Sequence, residues 1–367
     1  MRKAVRTLVA AGAAATLAIT VGGSALAANN PPPVKIAAGY MKAPVKINQK
    51  VPLKTKPPTG IKLVYMQQGI PSQVTVGKYL AQAAAAVGWT YSEVTWNSAS
   101  PASVSAGLQT AAQQGAQVIV APGILQSSVS QTVKNQLAAA KIPVILGQFC
   151  SNEPVVAPFV AGYALCANEA PLARSLAAWV AADSGGKGKV LFSDTQGVPL
   201  LVPFKQRFAA ELANLCPACT VSYQPVTIAQ AGAGQIPSVM VSAVRRDPSI
   251  QYMFFDVGQF SRGILPALDA AGLLSTIKVG GRGATSAELQ ALRDKQEVVW
   301  TAQGFGVAGY AALDAALRVV TKSSGITGNA VMPMQLVTTV NVGSVPDPYE
   351  VVPADALTQY KKLWRVS

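Results

Sequence analysis

The segment QVIVAPGILQSSVSQTVKNQLAAAKIPVILG, residues 117–147, carries the reading of the fold. Residues 117–121 form a short apolar run, long enough for a buried strand and too short for a helix. Residues 129–140 then place apolar side chains at helical spacing, and a Lys-Ile-Pro turn leads into a second apolar run over 142–146. Two β-type runs separated by one helix and short connections describe a strand–helix–strand unit. Its strands run parallel, and its helix covers one face of the sheet.

The same rhythm extends in both directions. Upstream, strands are expected over 61–66 and 91–96, with helices over 74–87 and 104–114. Downstream, helices over 172–182, 200–215, 236–245, 264–271 and 286–294 alternate with strands over 189–193, 221–226, 252–256, 277–279 and 298–302. A helix over 309–321 and a strand-like tail over 335–341 follow. Two consecutive units of similar size predict an α/β protein with two Rossmann-like lobes, each a parallel sheet covered on both faces. In such sheets ligands collect at the carboxyl ends of the strands. Two facing lobes make a cleft of those ends, which hinge closure can bury.

Composition agrees with a large folded core. Of 367 residues, half are hydrophobic and 13% are charged, far from the composition of a disordered chain. The net charge of +14 is unevenly placed. Eleven of the 30 basic residues precede Glu93, the first acid, which leaves 19 against 16 acids in the remainder. A nearly neutral body is no nucleic-acid footprint. The sequence contains no histidine, which excludes histidine-based triads, histidine-ligated metals and histidine acid–base catalysis. No Gly-x-Ser-x-Gly nucleophile motif appears either, so an enzyme is not expected, nor a cofactor or a metal site.

Residues 1–27 have the three parts of a secretory leader: basic Arg2, Lys3 and Arg6, a short apolar core, and a small-residue end at Ala25-Leu26-Ala27. Cleavage is expected after Ala27, giving a soluble secreted, periplasmic or cell-envelope protein with no stable membrane anchor. With no cysteine before Cys150, a lipid-anchored cysteine at the cleavage site is excluded. Residues 28–59 are rich in proline and lysine and read as an extended linker.

Export makes the cysteines readable. Cys150, Cys166, Cys216 and Cys219 allow three pairings. Cys150–Cys166 with Cys216–Cys219 is favoured because each pair lies within a single connection. The first closes a loop worth roughly 3 kcal/mol on the chain-entropy scale. Cys216-Pro217-Ala218-Cys219 also has the spacing of a redox pair. It follows a helix rather than opening one, however, and therefore lacks the helix N-terminus that lowers a thiol pKa.

The order of segments resembles that of the ribose/sugar type of solute-binding protein that serves ABC transporters, the periplasmic binding protein type I fold. The residues that carry the likeness are Ile142-Pro143-Val144-Ile145, the run Gly263 to Gly272, Lys278-Val279-Gly280-Gly281, and Thr301-Ala302-Gln303 before a helix. The resemblance implies two lobes joined by three crossings, near 159–165, 302–305 and 330–333. The first lobe would comprise 60–162 and 303–331, the second 163–302 and 332–345, with a tail over 346–367. It also implies a small-molecule ligand, an ABC permease as partner, a monomer, and ligand contact by Gln303.

The departures from the sugar-binding pattern shape the expected ligand. Gln148 and Phe149 stand where those proteins usually present Asp-Arg. Phe204 falls nearest the usual arginine, and Arg282 occupies the place of an aspartate that accepts sugar hydroxyls. Gln67 and Gln68 end the first strand, and Asp256 is the one carboxylate left at a plausible strand end. Arginine donates hydrogen bonds and accepts none. A small, partly apolar organic acid is therefore the expected ligand, with a sugar or polyol as the alternative. A sensory protein that presents its ligand to a membrane receptor is a further reading.

Overall fold

A computed structural model describes residues 31–97, 100–198 and 201–366. The secretory leader read at 1–27 lies outside the described residues. Helix α1 (Pro33–Tyr40) is followed by strands β1 (Lys62–Gln67), β2 (Thr90–Thr95), β3 (Val118–Pro122), β4 (Val144–Gly147) and β5 (Phe159–Tyr163). Helices α2 (Pro71–Ala86), α3 (Pro101–Gln113) and α4 (Gln131–Ala139) lie between them. The five strands form one parallel sheet in the order β2-β1-β3-β4-β5. Side chains along β1 alternate between two cores. Leu63 and Tyr65 enter the one covered by α2, and Val64 and Met66 enter the one containing Val104, Leu108 and Leu137. Burial on both faces explains why these strands read as continuous apolar runs.

The second lobe begins with α5 (Glu169–Asp183). It continues through β6 (Lys189–Thr195), α6 (Leu201–Leu215), β7 (Thr220–Val226), α7 (Ile228–Gly232), α8 (Ile236–Arg246) and β8 (Tyr252–Phe255). Helix α9 (Ile264–Ala270), β9 (Lys278–Arg282), α10 (Ser286–Arg293) and β10 (Val299–Gln303) complete its first passage. The chain then returns to the first lobe as α11 (Phe305–Val320), which lies against α2. A Cβ added at Gly309 would meet the Val76 carbonyl oxygen at 2.6 Å, so glycine sets how closely these helices approach. Strand β11 (Met334–Thr338) rejoins the second sheet, whose order is β11-β10-β9-β8-β6-β7.

Four features differ from the sequence reading. Strand β11 pairs antiparallel with β10. The chain leaves this lobe at the carboxyl end of β10 and comes back at the same edge, so the returning strand must run the other way. Residues 159–163, read only as a crossing, form edge strand β5. The proline- and lysine-rich segment is not a free linker. Its lysines 35, 42, 46, 50, 54 and 56 face solvent, whereas Ile36 and Ala37 enter the second lobe's core and Ile47 and Leu53 the first lobe's. The C-terminal residues likewise form α12 (Ala356–Trp364), with Tyr360 and Trp364 buried in the first lobe.

One buried polar network ties these additions down. Arg318 and Asp314 on α11, both 0% exposed, pair through Nε–Oδ2 at 2.8 Å and Nη2–Oδ1 at 3.1 Å. Gln49, Asn329 and Trp364 also donate to the Asp314 carboxylate, at 3.0, 3.0 and 2.9 Å. Arg318 donates in addition to the carbonyls of Val51 and Ser324. Every charge is matched, as burial requires.

Cys150 is bonded to Cys166 and Cys216 to Cys219, leaving no free cysteine. Thiol titration of the unfolded, unreduced protein should therefore detect essentially no thiol. Two or more reactive thiols would contradict this pairing.

Candidate functional site

The chain passes between lobes after the carboxyl ends of β5 and β10, and ligands of such sheets gather at the carboxyl ends of strands, so the residues that end β1, β4, β6, β8, β9 and β10 are the candidate cleft positions. On the first lobe, Gln67 ends β1. Its Oε1 accepts from Gly69 N at 2.7 Å, and its Nε2 donates to Glu93 at 3.1 Å. Gln68 is half-buried, and its backbone N donates to Gln73 Oε1 at 2.7 Å. Gln148, just past β4, has φ of 46°, a left-handed conformation that costs a non-glycine residue energy and is concentrated at functional sites. Beyond β2, the indole N–H of Trp96 is buried and has no hydrogen-bond partner among the described residues.

On the second lobe, charges come in pairs. Arg282 at the end of β9 grips Glu169 with two prongs, Nε–Oε2 at 3.1 Å and Nη2–Oε1 at 3.0 Å. Its guanidinium also lies 5.4 Å from the centroid of the Phe204 ring. Asp194 at the end of β6 pairs with Lys205 on α6. Burial lowers the Lys205 ammonium from its usual pKa, with the charge of Asp256 opposing that shift. Asp256 follows β8 and is fully buried. Its Oδ1 accepts from Ser193 Oγ at 2.8 Å and Thr195 Oγ1 at 2.7 Å, and its Oδ2 from Thr195 N at 2.8 Å.

These placements revise several expected roles. Phe149 belongs to the first lobe's core beside Phe159 and Leu165. Phe204 is 0% exposed, set among Phe192 and Phe208 and roofed by Arg282. Asp256 braces the carboxyl ends of the neighbouring strands β6 and β8 against each other, because its carboxylate is already occupied by donors from β6. Gln303 spends both amide atoms on Asn168, accepting at 3.2 Å and donating at 3.0 Å. Arg282 is not a free anion receptor, since its guanidinium is engaged by a carboxylate that is 3% exposed at the side chain. The structure thus gathers Phe204, Arg282 and, through Glu169 and its neighbour Asn168, Gln303. It leaves Gln67, Gln68 and Gln148 on the opposite lobe.

Sequence reasoning missed Glu169, Asn168, Asp194, Lys205 and Trp96. The partners of Arg282 and Gln303 lie 113 and 135 residues away, and no local pattern announces them. Among the described residues, no group of three or more His, Cys, Asp or Glu side chains could hold a metal ion, and no helix is long and apolar enough to cross a membrane.

Residues 61–324 match the pattern of the periplasmic binding protein domain. The chain belongs to that family. This periplasmic binding protein is similar in fold to several solved structures. The periplasmic ribose ABC transporter of Conexibacter woesei is 19% identical, with 79% of this chain and 96% of that one covered and a TM-score of 0.65. An ABC transporter solute-binding protein of Bacillus halodurans with bound myo-inositol is 17% identical, covering 78% and 96%, with a TM-score of 0.62. The fructose-binding periplasmic domain of a hybrid two-component system is 16% identical, covering 77% and 92%, with a TM-score of 0.63. No curated protein matches the chain. The family frame is that of an extracytoplasmic solute-binding protein, with the two lobes and crossings described above.

Proposed function

We propose that this periplasmic binding protein captures a neutral polyhydroxylated molecule, a sugar or polyol, in its interlobe cleft and delivers it to an ABC-type permease. The observation that carries this reading is the pairing of Arg282 with Glu169. The cation that favoured an organic acid is already neutralised. With Asp194–Lys205 and Asp256, the second lobe's edge holds three carboxylates against two cations, a balance that disfavours an incoming anion. Paired charges present donors and acceptors side by side, and a hydroxyl group is both. The ligands named for the ribose, myo-inositol and fructose proteins above support the same class. Gln67, Gln68 and Gln148 supply amides from the facing lobe. Arg282 and Gln303 form part of the second wall, held by Glu169 and Asn168. Export through the leader at 1–27, function as a monomer and the lobe boundaries given by the sequence reading belong to this proposal.

The test is a thermal-shift comparison of D-ribose, D-fructose and myo-inositol with benzoate and other small acids. A ligand at a hundred times its dissociation constant adds about 2.7 kcal/mol of stability, so a true sugar ligand should raise Tm by several degrees. Stabilisation by the acids alone would return the site to the anion reading. A sensory role is the second reading, supported by the likeness to the two-component domain. Uptake of the identified sugar that is lost on deletion of the protein favours transport.

A further inference from the structure

Asn168 lies in a 3-10 turn, Cys166–Asn168, where the chain first enters the second lobe. The residue is 3% exposed, and its side chain makes hydrogen bonds to both other crossings. At the second crossing, its Nδ2 donates to Gln303 Oε1 at 3.2 Å and its Oδ1 accepts from Gln303 Nε2 at 3.0 Å. At the third, the same Oδ1 accepts from the Met332 backbone N at 2.9 Å. Backbone bonds run beside it, from Ala164 N to Asn329 O and from Leu165 N to Ala330 O, at 2.9 and 2.8 Å.

Two neighbours connect this side chain to the cleft walls. Cys166, two residues earlier, is bonded to Cys150 beyond β4, and Glu169, the next residue, holds Arg282. A primary amide is the one small side chain able to accept from Met332 while exchanging bonds in both directions with Gln303. Aspartate keeps the acceptors and loses the donor; alanine loses everything.

We infer that Asn168 is the positioning residue of the hinge, coupling the three crossings so that they turn together and hold Gln303 and Arg282 at the cleft edge. The inference rests on the proposed binding function, and its test separates the two. The full-length protein, Asn168→Ala and Asn168→Asp are compared first without ligand, by amide hydrogen exchange and small-angle scattering.

Asn168→Ala should speed exchange at Met332 at least tenfold and broaden the distribution of interlobe distances, while amides of Val64 and Phe254 in the two cores keep their wild-type rates. Asn168→Asp keeps an acceptor for the Met332 N–H but sets a carboxylate beside Glu169, whose Oε1 accepts from the native amide at 3.4 Å, so Met332 should be better protected than in Asn168→Ala and less than in the wild type. Affinity for whichever of D-ribose, D-fructose or myo-inositol stabilises the wild type should fall at least tenfold in Asn168→Ala. Unchanged exchange at Met332, or faster exchange with unchanged affinity, overturns the inference. If none of the three sugars binds the wild type, the functional reading fails, and exchange and scattering still decide the hinge role. Should Asn168→Ala not fold, Gln303→Ala removes the second-crossing arm of the same clasp, and ligand-free scattering alone decides: a broadened distribution of interlobe distances supports the inference, and an unchanged one overturns it.

Discussion

Replacing Asp314 with alanine is expected to destabilise the protein by about 3–5 kcal/mol, the usual consequence of stranding one member of a buried ion pair. Arg318 would be left charged at 0% exposure with only the Val51 and Ser324 carbonyls facing it. Gln49, Asn329 and Trp364 would each lose an acceptor. For a protein of this size that corresponds to a fall in Tm of roughly 4–7 °C. The double variant Asp314→Leu/Arg318→Met removes both charges together and should be markedly less damaging than Asp314→Ala alone, since no uncompensated charge remains. Urea titration of the three proteins measures the difference. Equal destabilisation of the single and double variants would show that shape, not charge matching, governs this site. The network joins residues 49 and 51 to α11 and α12, so protease cleavage between Lys42 and Lys56 should also accelerate in Asp314→Ala.

Glu297 gives the second large effect, and it depends on pH. Its carboxyl is buried, accepts from the Trp300 indole N–H at 2.6 Å, and has a pKa raised to about 8. Burial is the main cause; the Trp300 bond opposes the shift and the charge of Glu288 adds to it. The unfolded chain releases this proton near the ordinary carboxyl value of 4.5, whereas the folded protein keeps it until about 8. The unfolded state therefore binds fewer protons across that window, and folding stability falls as pH rises through it. The loss reaches roughly 3 kcal/mol by pH 7 and levels off above the folded pKa. Glu297→Gln has no proton to lose, and its amide oxygen can still accept from Trp300. Its stability advantage over the wild type should be small at pH 5 and grow steadily to pH 8.5 in urea melts. An advantage independent of pH would rule out this titration.

The parts of the fold legible in the sequence are those where a strand is buried on both faces. Val118-Ile119-Val120 and Val144-Ile145-Leu146 can be read directly because every side chain meets a core. Strand β5 was hidden because it occupies a sheet edge, follows Pro154 and Pro158, and contains Gly162. Helix α1 was hidden because two prolines precede it and a third opens its first turn, although proline suits that opening position.

The candidate site was legible only as a set of places. Strand ends mark Asp256, Arg282 and Gln303 as candidate cleft-edge positions. What each side chain does there depends on Thr195, Glu169 and Asn168, which arrive from other elements. The same chemistry that made Arg282 look like an anion receptor draws it to Glu169 first.

The path of the N-terminal segment also sets a mechanical limit. The Met41 carbonyl is held by Gln335 and Asn341 of the second lobe, at 2.8 and 2.9 Å, while Ile47 is buried in the first. Six peptide links join these anchors, a contour of about 20 Å when fully drawn out. The lobes can swing apart only until that short strap is taut. Wider opening would have to pull Met41 or Ile47 from its seat, so the strap acts as a stop on the gape of the cleft.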